Sequence, residues 1–361
     1  MEPLVKWPGG KSRELARVQP LVPAGARLVE PFAGGAALFF AVEPERALLN
    51  DVDAQLVDFY TRIGAGNAAT RAAFQALADT WDAARELALD AAPLLASAHI
   101  AGTLDPVYAR HWVELIRHQA DNAFSADQHF DAYATMTLRS KAARLVQLAT
   151  RAPLSLADTE TQLATGLLAG FYTFVRDAFE APDADHDAAA WWFLREMCYG
   201  SMFRFNSAGH FNIPYGGASY NRKALRTKIA LLFTPATQAL MCNATLSNSD
   251  FRTFFTAYGV GAADDFVFLD PPYDSEFSGY ANHPFGRAEQ QALANWIADA
   301  QARALLIIKH TDFIAELYAP LAASGKVGLY AYDHRYGYNV RGRNARDVAH
   351  LAISYFELKP I

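Results

Sequence analysis

The sequence predicts an α/β protein in which a doubly wound, mainly parallel sheet is interrupted by one long helical insertion. Three observations predict it. Phe266-Val267-Phe268-Leu269 is a continuous apolar run stopped by Pro271 and Pro272, which fits a strand buried on both faces. Arg27-Leu28-Val29-Glu30 is a short strand followed by a glycine turn, Gly34-Gly35, and an apolar helix start. Between about Tyr60 and about Glu180 the composition changes to Ala, Leu, Arg and Asp at helical spacing, with apolar faces such as Phe74-Leu77-Trp81 and Leu138-Leu145-Leu148.

A chain of 361 residues has room for one large or two medium domains with ample core. Hydrophobic residues at 52% and charged residues at 19% belong to a soluble globular protein. Two cysteines, Cys198 and Cys242, form no disulfide framework, so an intracellular setting is expected. No apolar run is long enough to span a membrane, and the first eleven residues lack the apolar core of a secretion signal, so a cytoplasmic protein is expected. The net charge of -6 argues against a simple nucleic-acid-coating protein. The basic residues are nonetheless uneven. Arg195, Arg204, Arg222, Lys223, Arg226 and Lys228 fall close together against Glu196 alone, and Arg335, Arg341, Arg343 and Arg346 against Asp333. Each island reads either as a phosphate-neutralising surface or as an ordinary solvated face.

Taken in order, the amino-terminal stretch Lys6-Trp7-Pro8-Gly9-Gly10-Lys11-Ser12 ends like a phosphate-binding P-loop. The full pattern needs a glycine five positions before Gly10, where Val5 stands, so nucleotide hydrolysis is excluded. The first strand and its glycine turn lack G-x-G-x-x-G spacing, which disfavours a dinucleotide. A second strand, Ala47-Leu48-Leu49-Asn50, ends at Asp51. An acid there can accept hydrogen bonds from ribose hydroxyls, and Asp51 or Asp53 can equally cap the next helix. Trp81, Trp112 and Tyr133 are expected to pack the insertion's helices, and Ala181 to Asp187 to form an acidic, loop-like joint. Trp191 to Asn206 then reads as an apolar helix entering a hairpin that turns at Ala208-Gly209. Tyr199, Phe203 and Arg204 mix aromatic wedges with positive charge, as a DNA-reading element needs; a sheet corner packed on a helix would look the same. Strands resume at Ala244-Thr245-Leu246-Ser247, Leu305-Leu306-Ile307-Ile308 and Val348 to Tyr355. The sheet domain is therefore expected over 1–60 and 240–361, and the insertion over 61–239.

The chemistry concentrates in Asp270-Pro271-Pro272-Tyr273, at the carboxyl end of the strand where α/β sheets bind ligands. Two prolines fix the backbone, donate no hydrogen and leave carbonyls as acceptors. Such a rigid, acceptor-only platform suits a planar amino group: Asp270 and the Pro271 carbonyl can take the two hydrogens of a nucleobase amine and draw its nitrogen toward a nucleophilic form, while Tyr273 stacks on the base. A strand followed by a plain Pro-Pro turn is the bland alternative. The tetrapeptide arises by chance in on the order of one chain in a thousand of this size, which favours the functional reading.

Lys6-Trp7-Pro8-Gly9-Gly10-Lys11, Glu30-Pro31-Phe32-Ala33-Gly34-Gly35, Asn50-Asp51, Arg204-Phe205-Asn206 with Phe211 to Gly216, and Asp270 to Tyr273, in this order, resemble the Dam-type (class alpha) DNA adenine-N6 methyltransferases. The resemblance covers nearly the whole chain outside 60–185. It implies a Rossmann-like, S-adenosylmethionine-dependent methyltransferase sheet with an inserted, mainly helical target-recognition domain carrying a β-hairpin. It implies that Trp7, Lys11, Phe32, Gly34, Gly35, Asp51, Asp250, Phe251 and Asp270 line the S-adenosyl-L-methionine pocket, and that Asp270, Pro271, Pro272 and Tyr273 hold the amine of a flipped-out adenine. It implies double-stranded DNA as partner, met by Tyr199, Arg204, Asn206, Arg222, Lys223, Arg341 and Arg343, and a cognate restriction endonuclease as a further partner. The chain departs from the family at Ala36, where glycine is common, and at Gly200-Ser201, where Asn-Gly is common.

Direct transfer to an activated amine needs no metal, and the histidines and cysteines show no ligand spacing. Neither cysteine follows a proline, as a nucleophile for cytosine carbon would in its own family. Methylation of the cytosine N4 amine, a catalytically silent DNA-binding protein on this fold, and methylation of RNA or protein amides are the rivals.

Overall fold

The computed structural model describes residues 1–8, 14–102, 130–179, 184–202, 206, 211–273, 285–335 and 347–354. It divides into two compact units, one of Met1–Pro3, Gly9–Gly64 and Gln238–Ile361, the other of Leu4–Pro8 and Ala65–Thr237.

The first unit is a seven-stranded sheet: β1 Arg27–Glu30, β2 Ala47–Asn50, β3 Ala244–Ser247, β4 Asp265–Leu269, β5 Arg303–Lys309, β6 Gly328–Arg335 and β7 Asp347–Ser354. Their order is β3-β2-β1-β4-β5-β7-β6. The first five run parallel, and β7 lies antiparallel to both β5 and β6. This is the α/β architecture the apolar runs predict. β6 was not legible in them. Gly328-Leu329-Tyr330-Ala331-Tyr332-Asp333-His334-Arg335 carries glycine and ends in charged residues, and pairing along β7 from Gly328 opposite Ser354 to Arg335 opposite Asp347 makes it an edge strand.

Every residue of β4 is buried, as a strand covered on both faces requires. Val267 and Leu269 pack with Phe254, Leu293, Ile297, Ile314 and Tyr318. Arg27 and Asp265 join β1 to β4 at their amino ends by paired hydrogen bonds of 2.7 and 3.0 Å. The register sets Val29 opposite Val267. Strand order reverses at β1, whose neighbours are β2 and β4, and sheets of this kind bind ligands beyond the carboxyl ends of the strands at such a reversal. Where the chain leaves and re-enters this unit, the Gln238 side chain donates to the Ile63 carbonyl at 3.0 Å.

The second unit is helical, with long helices Ala68–Ile100, Phe130–Ala149, Leu156–Ala178 and Ala184–Met197. Asn67 and Ser155 cap two of them, accepting from the backbone amides of Thr70 and Asp158. Trp81 is fully buried among Phe171, Phe193 and Tyr215, and its indole donates to the Lys223 carbonyl at 2.9 Å. Tyr133 is half-buried, and Trp112 lies outside the described residues. The expected joint at 181–187 is corrected in its second half, because helix begins at Ala184; small residues at 188–190 are buried there, which outweighs the acidic composition. No helix among the described residues is long and apolar enough to cross a membrane.

At Gly170 the helix Leu156–Ala178 packs against the backbone of the helix Phe130–Ala149: a methyl group there would sit 2.6 Å from the Ala134 Cα and 2.9 Å from its amide nitrogen. Both are backbone atoms and cannot swing away. Gly170→Ala is therefore expected to destabilise the protein by about 1–3 kcal/mol, measured as a lower urea midpoint with unchanged slope.

Candidate active site

The glycine turn after β1 is shaped by the strands beside it. Gly34 adopts φ 48°, the left-handed region that glycine enters without strain, and Ala36 adopts φ 48° at the helix start despite its methyl group. The Gly34 amide donates to the Asp51 carboxylate at 2.9 Å, and the Tyr60 hydroxyl donates to the Gly34 carbonyl at 2.9 Å. Asp51 also accepts from the Asp53 amide, whereas Asp53 accepts from the amides of Gln55 and Leu56. Asp53 is thus the helix cap, and Asp51, half-buried at the end of β2, holds the turn after β1.

Asn50, almost fully buried, joins three loops. Its amide group donates to the carbonyls of Pro31 and Ser249, each at 3.0 Å, and its oxygen accepts from the Ser249 amide at 3.1 Å. The ends of β1, β2 and β3 are fixed together by this one side chain. Asp250 begins the next helix, accepting from the Arg252 amide, and its carboxylate is gripped by the Arg252 guanidinium at 2.8 and 3.0 Å. That contact holds Asp250 below the usual carboxylate range. Phe251 is buried, its ring 5.5 Å from Phe32 and 5.8 Å from Phe285, and Phe32 meets Phe285 edge-on at 5.4 Å.

Asp270 follows β4, which lies beside β1. Pro271 is buried; Asp270, Pro272 and Tyr273 are half-buried. The expectation of open proline carbonyls is corrected at Pro272, whose carbonyl accepts from the buried Gln290 side chain at 3.0 Å. That bond braces the second proline from the helix Arg287–Asp299. Glu30, at the end of β1, is buried, accepts from the Phe39 amide at 2.8 Å, and has its carboxyl pushed up to about 8 by burial, with the Asp270 charge adding to the rise. A neutral carboxyl at Glu30 spares Asp270 a second negative charge beside it.

In the helical unit, the Trp7 ring lies over the buried Arg195 guanidinium at 4.0 Å, with Trp191 on Arg195 at 5.2 Å. Lys223 is half-buried, its ammonium 3.5 Å from the centre of the Tyr220 ring and donating to the Glu196 carbonyl. Burial pushes it down to about 7, helped by Lys6. Lys228 pairs with Glu196 at 2.8 Å, and Arg226 with Asp79 and Asp82 at 2.6 Å each. The first basic island is thus a set of structural contacts in large part, a reading neither sequence alternative contained. Arg222, Asn206 and Tyr199 are exposed, Tyr199 to 43%. Backbone bonds from the Tyr199 amide to the Pro214 carbonyl and from the Gly216 amide to the Met197 carbonyl make an isolated antiparallel bridge of Cys198 with Tyr215; the turn expected at Ala208-Gly209 lies outside the described residues. Lys11, Arg204, Arg341 and Arg343 also lie outside them. Among the described residues no group of three His, Cys, Asp or Glu is placed to hold a metal ion.

Sequence reasoning missed Asn50, Tyr60 and Gln290 as supports. A buried polar residue next to a strand end was the available signal for Asn50; Gln290 sits mid-helix, where no local pattern marks it.

The fold is an α/β sheet whose strand order reverses at β1, with an acidic group on a proline-stiffened turn after the neighbouring β4, the architecture of a ligand-binding α/β enzyme. The chain belongs to the D12 class N6 adenine-specific DNA methyltransferases, whose family model matches residues 7–85 and 115–338. It is 26% identical over 322 residues to the type II methyltransferase M.CviBI of Paramecium bursaria Chlorella virus NC1A, covering 88% of this chain and 86% of that one. It is 27% identical over 325 residues to the DNA N-6-adenine-methyltransferase of Escherichia phage P1, covering 87% of this chain but 31% of that longer protein. The retron Ec67 DNA adenine methylase of Escherichia coli is 24% identical over 295 residues, with 82% and 72% covered.

Glu30 binds its proton more tightly in the folded protein than in the unfolded chain, since its value rises from 4.5 to about 8. Its contribution is complete below about 4.5 and is lost as pH climbs through about 8. Glu30→Gln is expected to remove this dependence, so that urea unfolding from pH 5 to 8 shows the variant gaining stability relative to wild type, by on the order of several kcal/mol at the top of the range.

Proposed function

We propose that the protein transfers a methyl group from S-adenosyl-L-methionine to the N6 amine of an adenine flipped out of duplex DNA. The observation that carries this reading is the position of Asp270 and Pro271 at the end of β4, beside the strand whose glycine turn Asp51 holds. The donor set suits the cofactor: a half-buried carboxylate after β2 for ribose hydroxyls, a glycine turn admitting close backbone approach, and the Phe32 and Phe251 rings for an apolar surface. Gly35, Asp250 and Lys11 complete the assignment. When bound, S-adenosyl-L-methionine supplies a methyl group already activated on a sulfonium.

The protein's part is positioning. Asp270 and the Pro271 carbonyl accept the two amine hydrogens, which shifts the nitrogen lone pair out of the purine ring, and Tyr273 stacks on the base. Bracing of Pro272 by Gln290 keeps this acceptor set in place, so little reorganisation is needed as charge develops. We assign residues 1–60 and 240–361 to cofactor binding and catalysis and 61–239 to target recognition. Tyr199 is the wedge that fills the space left by the flipped base; Arg204 reads a base edge; Asn206, Arg222, Arg341 and Arg343 meet bases or phosphates. Lys223 belongs to the same set by position, although its ammonium is turned toward Glu196 and Tyr220. A restriction endonuclease of the same specificity is the partner this activity would protect against.

Incubation of mixed-sequence duplex DNA with isotopically labelled S-adenosyl-L-methionine, followed by nucleoside analysis, is expected to yield labelled N6-methyldeoxyadenosine. Label in N4-methyldeoxycytidine would overturn the base assignment, and no label would point to a silent DNA-binding protein. Asp270→Ala is expected to lower single-turnover transfer by at least about a thousandfold while DNA affinity changes by less than about threefold; normal turnover in that variant would refute its role. Arg204→Ala is expected to broaden the set of methylated sequences, read by sequencing, with cofactor affinity unchanged.

A further inference from the structure

Behind Tyr273 lies a buried polar cluster that the proposed mechanism does not use. Glu14 is 3% exposed and His350, in the middle of β7, is 1% exposed. The Glu14 carboxylate accepts from the Tyr332 hydroxyl at 2.7 Å, and the same oxygen lies 3.1 Å from Nδ1 of His350. The imidazole in turn meets two aromatic rings edge-on: Tyr332 at 5.7 Å and 76°, and Tyr273 at 5.6 Å and 71°. The Arg17 guanidinium covers the outer face of Tyr332 at 5.5 Å.

A buried carboxylate and imidazole are an expensive way to fill a sheet face. Apolar residues of similar volume are often neutral or stabilising in such a place, so the pair points to a task other than stability. The task is indicated by what the cluster touches. β7 lies between β5 and β6, with His350 opposite both Lys309 and Tyr332, so its backbone is fixed from two sides. Glu14 then fixes the ring about its remaining torsions, because an oxygen close to Nδ1 selects one ring orientation and one tautomer. Tyr273 stands immediately after the two prolines and carries the outermost ring of the acceptor platform.

We propose that His350 and Glu14 are positioning residues for Tyr273: the imidazole, oriented by Glu14, sets the tilt of the Tyr273 ring and thereby the plane offered to the target base. The inference rests on the reading that Tyr273 stacks on a flipped adenine. Edge-to-face contact between rings is directional, so a rigid imidazole determines an angle where an aliphatic side chain would only fill volume.

The test uses His350→Leu, His350→Phe and Glu14→Gln in the whole chain with two duplexes of the sequence that wild type methylates: one with adenine at the target position, for transfer, and one with 2-aminopurine there, for emission alone. His350→Leu is expected to slow single-turnover transfer roughly ten- to a hundredfold, with affinities for S-adenosyl-L-methionine and DNA within about threefold of wild type. It is also expected to change the 2-aminopurine emission that stacking on Tyr273 produces. His350→Phe, which restores a ring, should recover most of the rate, and Glu14→Gln should fall between. Transfer within about twofold of wild type and unchanged 2-aminopurine emission overturn the proposal. So does a rate loss matched by equal loss of cofactor affinity, or Phe no better than Leu at position 350; these mark a merely structural role. Should His350→Leu fail to fold, the isosteric Glu14→Gln decides by the same readouts. A wild-type protein that methylates no DNA removes the reading beneath the inference, an outcome distinct from active wild type with indifferent variants.

Discussion

Parallel pairing of β1 with β4 is the constraint on which the site depends. It joins Arg27 to Asp265 at one end and brings the exits of both strands side by side at the other, across 238 residues of chain. A glycine turn and a Pro-Pro turn are common in isolation. Pairing of β1 with β2 and β4 brings the strand ends that precede Asp51 and Asp270 to the two sides of the β1 turn, where strand order reverses. β4 is buried at every residue, and the Arg27–Asp265 pair ties its register to β1.

Much of the sheet was legible because buried parallel strands are written as apolar runs, and their ends as Asn50, Asp51 and Asp270. β6 was not, because an edge strand is defined by its partner and needs no apolar run of its own. The same reason hid Gln290 and His350. Each acts across the fold on a residue distant in sequence, Pro272 and Tyr273 among them, and local spacing carries no trace of such contacts. The start of the helix at Ala184 was hidden differently: acidic composition outweighed the buried alanines that decide the matter.

Charge was the least legible property. Arg195, Lys223, Arg226 and Lys228 read either as a surface for phosphates or as a solvated face, yet the structure engages them with Trp7 and Trp191, the Glu196 carbonyl and Tyr220, Asp79 and Asp82, and the Glu196 carboxylate. Counting cations cannot separate a binding face from an internal scaffold, because one acid, Glu196, meets two of them and the partners of Arg226, Asp79 and Asp82, are far away in the chain. Lys223 shows the point physically: burial and the neighbouring Lys6 lower its pKa, which an exposed cation on a solvated face would not experience.

The hydrogen bond from Gln238 to the Ile63 carbonyl pins together the two points where the chain departs from the sheet unit and comes back. The sheet therefore registers a closed gap, whatever length of chain intervenes, and closure entropy grows only slowly with that length. Such a seam makes the intervening 173 or so residues a replaceable cassette: they could be lengthened, shortened or exchanged while the sheet keeps the same two ends to close.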